Sequence, residues 1–253
     1  MLTVISPAKR LDETAALPDG FDATIPAFRD KANALVTVAR GLTSADLRKL
    51  MGISPKLADL NHSRFAGFDE ARLHPAALIF AGDTYAGLEA RTLDEDALRY
   101  AQDYLRILSG LYGLLRPLDE IAPYRMEMGS RMENAAGRDL YSFWRPHIAP
   151  ALSAQAERIG ARALLNCASV EYFGAVAQDA LDLPVITPVF LEERNGEAKV
   201  VSFWAKKARG AMARFVMEHR LNDPTDLRGF DTGGYAWDAQ SSSPERPVFR
   251  RAA

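Results

Sequence analysis

The chain has 253 residues, with 31 Lys and Arg against 33 Asp and Glu, a formal net charge of −2 and a single cysteine. The length suits one large domain or two small ones; the near balance of charge gives no bulk attraction to nucleic acid, and lone Cys167 excludes an internal disulfide framework. No apolar run reaches the roughly 18–20 residues of a membrane span, and MLTVISPAKR lacks the apolar core of a secretory signal, so a cytoplasmic protein is expected.

Met1–Ile5 reads as a short buried strand stopped by Ser6-Pro7. Residues 11–27 read as loop. Phe28–Arg40 has helical apolar spacing closed by Gly41. Ala76–Ala81 reads as a second strand, Asp94–Leu105 as a helix and Ile107–Leu115 as strand and turn. Arg116–Gly129 has no clear period. Asp139–Ile159 is expected to be helical with interruptions at Pro146 and Pro150, followed by a third strand at Ala163–Cys167 and a helix from about Glu171. Asn195-Gly196 between Val185–Glu193 and Glu197–Trp204 is a strong hairpin signal. Ala205–Leu221 reads as a helix. Strands interleave with helices, so the predicted class is α/β with a mixed sheet, as a single domain over 1–253.

At about 43–66 the stretch LRKLMGISPKLADL predicts a helix-hairpin-helix-like insertion. Ser44 would cap a helix ending at Met51, Gly52 would take the positive-φ position, and Ser54-Pro55 would open a second helix. Leu47, Leu50, Ile53, Leu57 and Leu60 would pack between them. Two readings stand. One is an ordinary helical corner. The other is an anion site made from unpaired N–H groups beside Gly52, with Lys49 and Lys56 flanking the turn.

On a helical wheel the 205–221 segment is one-sided. Lys206, Lys207, Arg209, Arg214 and Arg220 share a face with Gly210 and Ala213, and Glu218 lies at its edge. Ala205, Ala208, Ala211, Met212, Phe215, Val216 and His219 form the apolar arc, making His219 an expected core residue. The basic face is either solvated or turned to a phosphate-bearing ligand, a nucleic-acid backbone or an acidic patch of the same protein.

Polar residues also follow the predicted strands: Ser6 and Lys9, Asp83 and Tyr85, then Asn166, Ser169 and Glu171. Such strand ends are where α/β sheets place ligands. They would either form one pocket or serve as caps and turns. In a pocket, Lys9 would hold an anion, and Asp83 or Glu171 would act as a base or bind a sugar. No GxSxG, Walker or GxGxxG pattern occurs, and His62, His74, His147 and His219 lack metal-ligand spacing. No catalytic set, metal or cofactor is assigned.

Taken together, ISPAK at the start, LSGLYGLLRPLD at 108–119, YRMEMG at 124–129, FLEERNG at 190–196 and SFWAKKARGAMARF at 202–215 resemble the YaaA family across nearly the whole chain. The resemblance implies a cytoplasmic protein of the hydrogen peroxide response that limits free iron and oxidative DNA damage. It also implies non-sequence-specific DNA binding through a basic cleft and a helix-hairpin-helix-like element. The hairpin falls on Met51-Gly52-Ile53-Ser54, though the usual Gly-Ile-Gly turn is Gly-Ile-Ser here. The cleft bases fall on Lys206 and Lys207, with Arg209 beside them. DNA is the expected partner, with a small anionic ligand as a further one, no membrane and a monomeric state. The alternative is an enzyme or ligand-binding protein for a nucleotide-like substrate in the strand-end pocket. A weak iron site on Asp83 and Glu171 is the third reading.

Overall fold

A computed structural model describes residues 1–252. Strand β1 (Leu2–Ile5) is buried at all four positions, and β2 (Arg10–Leu11) follows after Ser6-Pro7. Helix α1 (Arg29–Arg40) buries Ala32, Leu35, Val36 and Ala39, a helical stripe. Helices α2 (Ser44–Met51) and α3 (Pro55–Ala66) follow, separated by Gly52-Ile53-Ser54. The cap of α2 is Thr43, not Ser44: Thr43 and Asp46 exchange side-chain and backbone bonds in a capping box, leaving Ser44 inside the first turn.

His74–Pro75 forms β3, and the apolar run after it departs from expectation. Ala76–Ile79 is a helical turn, α4, and only Phe80–Ala81 is strand, β4. The amides of Ala76 and Ala77 donate to Asp119 O and Pro117 O, so this buried run meets a loop rather than a sheet. A short apolar run has no period that separates the two outcomes.

Helix α5 (Asp83–Leu88) precedes α6 (Glu95–Tyr104), which Asp94 caps. Then come β5 (Leu105–Ser109), β6 (Gly113–Leu115) and β7 (Glu120–Ile121), the last paired with β3. Helix α7 (Leu140–Ile159) runs unbroken through Pro146 and Pro150. Both prolines lie on its exposed face one turn apart, where water can take the carbonyls they free. Strand β8 (Leu164–Cys167) leads to α8 (Val170–Phe173), a single turn capped by Ser169. The expected Val185–Glu193 strand splits at Thr187-Pro188 into β9 (Val185–Ile186) and β10 (Val189–Arg194). Asn195 and Gly196 have φ of 55° and 79°, the paired positive values of a type I′ turn, and β11 (Glu197–Lys199) returns. Ser202–Trp204 belongs not to that strand but to α9 (Ser202–His219). The chain closes with β12 (Ala236–Trp237) and β13 (Val248–Ala252).

The fold is therefore α/β with mixed sheets. The main sheet has the order β6-β5-β1-β8-β9: β1 is parallel to β5 and β8, β9 is parallel to β8, and β6 is antiparallel to β5. A second sheet, β11-β10-β13-β12, pairs β10 and β13 in parallel. One hydrophobic cluster joins β1, β5 and β8 to α1, α7 and α9.

Candidate functional site

The central parallel strands β1 and β8 end side by side, with Ile5 opposite Cys167. Their following loops therefore start together, the placement expected of ligand-binding loops. Ser6 stitches them: the Ser169 amide donates to Ser6 Oγ at 2.8 Å, and the two hydroxyls are 3.3 Å apart. Around this seam lies a cavity of about 470 Å³. Its walls are Ser6–Arg10, the Ala81–Thr84 entry to α5, Cys167, Ser169, Glu171 and Tyr172 from the β8 side, and Lys206 and Arg209 from α9.

Helices α5 and α9 set the far wall by touching backbone to backbone. A Cβ on Gly210 would sit 1.7 Å from Thr84 O, and one on Gly87 would sit 2.0 Å from Lys207 O. This crossing explains why the basic face is not a simple solvated one. Gly210 and Ala213, at its centre, are buried. Arg214 is consumed there: its guanidinium donates to Leu88 O, Glu89 O, Thr92 Oγ1 and Thr92 O at 2.7–3.2 Å, and to Glu218. It anchors the end of α5, and these bonds within the chain occupy the donors that a nucleic-acid contact, as expected of Arg214, would use. Arg220 lies 3.4 Å from Asp96. His219 is exposed, against expectation, because α9 ends there and its ring lies over Phe215.

The other bases remain open. Lys206 lies 4.0 Å from Asp83, a loose pair on an exposed side chain. Lys207 is exposed. Arg209 is half-buried in the cavity wall and, among the described residues, has no ion pair or side-chain hydrogen bond within the chain. An arginine in that setting can receive an anion, because its planar donors are partly desolvated and unspent. Lys9 and Arg10 line the same cavity; Lys9 lies 3.7 Å from Glu127, and among the described residues the one side-chain hydrogen bond of Arg10 goes to Ala81 O.

Ser6, Lys9, Asp83, Ser169 and Glu171 thus come together. Tyr85 and Asn166 do not line this cavity. Tyr85 is buried and donates from its hydroxyl to Ser6 O, bracing the loop from behind. Asn166 accepts from the Ala168 amide and bonds Thr187, a turn-forming role. Sequence reading missed Arg10, Thr84, Tyr172 and the neighbouring Arg125 and Glu127. For the last two a signal exists: Arg-x-Glu in an extended stretch puts both side chains on one face, and Arg125 Nε meets Glu127 Oε1 at 2.9 Å. Cys167 lines the cavity but is buried. Burial pushes its thiol up to about 12, with the Arg209 charge pulling the other way.

The hairpin is a separate feature. Gly52 is left-handed at φ 60°, and Ser54 caps α3 through the Leu57 amide. The amides of Gly52 and Ile53 both turn back to Arg48 O, so these N–H groups are spent on ending α2. Leu47 and Ile53 are buried, but Leu57 and Leu60 are 37% and 43% exposed rather than packed between the helices. Lys49, Gly52, Ser54 and Lys56 are all exposed, and none lines the cavity. The hairpin and the basic face of α9 therefore do not wall one pocket.

Among the described residues, no three His, Cys, Asp or Glu side chains cluster as a metal site, and no helix is long and apolar enough to cross a membrane. The family model described as peroxide stress protein YaaA matches residues 1–241. The chain is 62% identical to a UPF0246 protein of Cereibacter sphaeroides, with all of both chains covered. It is 60% identical to a UPF0246 protein of Dinoroseobacter shibae over 99% of this chain and 95% of the relative. It is 55% identical to one from Ruegeria pomeroyi over 99% and 98%.

Proposed function

The chain belongs to the peroxide stress protein YaaA family, and from that premise we propose that it binds DNA through its phosphates, without sequence preference, in the cytoplasm, and so limits iron-dependent oxidative damage. The observation that carries the reading is the unspent Arg209 in the cavity wall, with Lys9, Arg10 and Lys206 around it and Lys207 on the same helix. A chain of net charge −2 thereby presents a local cluster of five bases. Point charges of this kind bind backbone, and they carry no set of Asn and Gln aimed at base edges. Lys49 and Lys56 on the hairpin would add charge at a second place, but Gly52 would not supply an amide nest. The test is binding of unrelated duplexes against salt. The affinity is expected to fall log-linearly and equally for all sequences; a flat salt dependence would remove the reading.

A second reading, a pocket for a nucleotide-like small molecule, is favoured by Asp83 and Glu171. Carboxylates repel a phosphate backbone, so a groove made only for DNA has no use for two of them in its wall. The two readings share Arg209 and differ in what the acidic side does.

A further inference from the structure

Glu127 is a buried carboxylate that neither reading employs. It is 9% exposed and lies in the extended stretch behind the β1 loop. Its Oε1 accepts from Arg125 Nε at 2.9 Å and lies 3.7 Å from Lys9 Nζ. Its Oε2 is buried and, among the described residues, has no hydrogen-bond partner. Burying an unpaired polar oxygen costs free energy, more so on a charged group, and native structures supply a donor. Arg125 and Lys9 attend the other oxygen, leaving Oε2 to a donor from outside the chain.

Glu127 lines a second, small cleft that shares Pro7, Ala8, Lys9 and Tyr172 with the large cavity. Its volume is about 10 Å³, room for one water-sized group. The shared wall puts two unlike receptors beside each other: a half-buried arginine without a partner, and a buried carboxylate oxygen without a donor. A bare phosphate satisfies only the first. The large cavity, about 470 Å³, falls within the range of pockets that hold small organic ligands.

We infer that the two clefts form one two-ended site for a small molecule with a phosphate at one end and a primary amino group at the other. The phosphate meets Arg209 and Lys206, and the amino group enters the small cleft and donates to Glu127 Oε2. This rests on the second reading above and not on DNA binding. It sets the selectivity: a carbonyl in place of the amino group turns an acceptor toward Oε2 and leaves it unpaired, and a hydroxyl offers one neutral donor where a protonated amine offers three charged ones. Sites built around a hydrogen bond reject the analogue that lacks it.

Two matched pairs test this and separate the sources of that chemistry. Titration calorimetry on the full chain would compare AMP with IMP, and glucosamine 6-phosphate with glucose 6-phosphate. The amino member of one pair is expected to bind at least about tenfold more tightly than its partner, and the pair that shows this names nucleotide or amino sugar as the source. Glu127→Gln should abolish the preference within that pair, and Arg209→Ala should weaken both members about tenfold or more. Equal binding within both pairs by the wild-type chain overturns the inference, as does no binding of any of the four. The wild-type comparison decides the matter even if Glu127→Gln does not fold. DNA binding measured in parallel keeps the two functions apart: DNA bound with none of the four compounds removes this site alone, and the compounds bound without DNA remove only the DNA reading.

Discussion

Gly87 and Gly210 interlock the two helices that build the cavity's far wall. Gly87 lies against the Lys207–Ala211 backbone, and Gly210 lies against the Thr84–Leu88 backbone. The absence of two Cβ atoms thus fixes how near Lys206 and Arg209 stand to Asp83 and Thr84. Gly210→Ala forces backbone apart, because Thr84 O cannot move as a flexible side-chain end would. A loss of roughly 3 kcal/mol is expected in urea unfolding, at the upper end of overpacking costs. An unchanged midpoint would show that the crossing is not as close as described.

Arg214 should behave as a stabilising residue and not as a DNA contact. Its side chain is 18% exposed and satisfies four carbonyl or hydroxyl oxygens at and just beyond the end of α5, besides its bond to Glu218. Arg214→Ala is expected to cost about 2–4 kcal/mol by chemical denaturation. Arg214→Lys should recover little, since a single ammonium cannot reproduce the fork. Below the unfolding range, DNA affinity should stay within about twofold of wild type.

Lys206→Glu with Lys207→Glu should act in the opposite way. Both side chains are exposed and weakly partnered, so stability should change by less than about 0.5 kcal/mol. DNA affinity should drop equally on all sequences, with the log–log salt slope shallower by about 2. Fluorescence anisotropy at several salt concentrations reads both numbers. Unchanged affinity would place the DNA surface elsewhere.

Gly52→Ala tests the hairpin directly. Nothing lies within 4 Å of the added Cβ, but φ is 60°, so about 1 kcal/mol of stability should be lost to the left-handed backbone. Since the Gly52 and Ile53 amides are already bonded to Arg48 O, DNA affinity of the folded variant should be unaffected. A fall of tenfold or more would mean that phosphate approaches this turn closely after all.

Alkaline pH should destabilise the fold. The Cys167 thiol is raised by burial from 9.0 to about 12, and Tyr85, Tyr112, Tyr124 and Tyr172 are also raised, above all by burial. In each case the folded value exceeds the unfolded one. The folded chain therefore holds these protons where the unfolded chain has released them. Their contribution is complete below about pH 9 and declines as the pH climbs toward 12 for Cys167. Urea unfolding at pH 8, 9 and 10 should show falling stability. At pH 8 a thiol reagent should label Cys167 only on unfolding.

Local chemistry made much of this molecule legible in advance. Gly52 and Ser54-Pro55 end one helix and start the next because only certain residues suit those positions. Asn195-Gly196 closes its hairpin because both residues tolerate positive φ. The buried strands β1 and β8 could be read from apolar runs bounded by Ser, Pro and Ala, and the run at Ala76–Ala81 could not, since its state depends on the carbonyls of Pro117 and Asp119. The wheel of α9 separated basic from apolar residues, but it could not tell which bases were free. Arg214 and Arg209 are five positions apart on one helix; one is spent on the end of α5 and the other faces a cavity. Likewise, Lys9, Asp83, Glu171 and Arg209 share a pocket only because parallel pairing of β1 and β8 aligns their ends and two glycines let α5 and α9 touch. Sequence sets what each short segment can do alone, through backbone preference and burial. The tertiary fold decides which charges meet a partner, because pairing depends on distances between residues far apart in the chain.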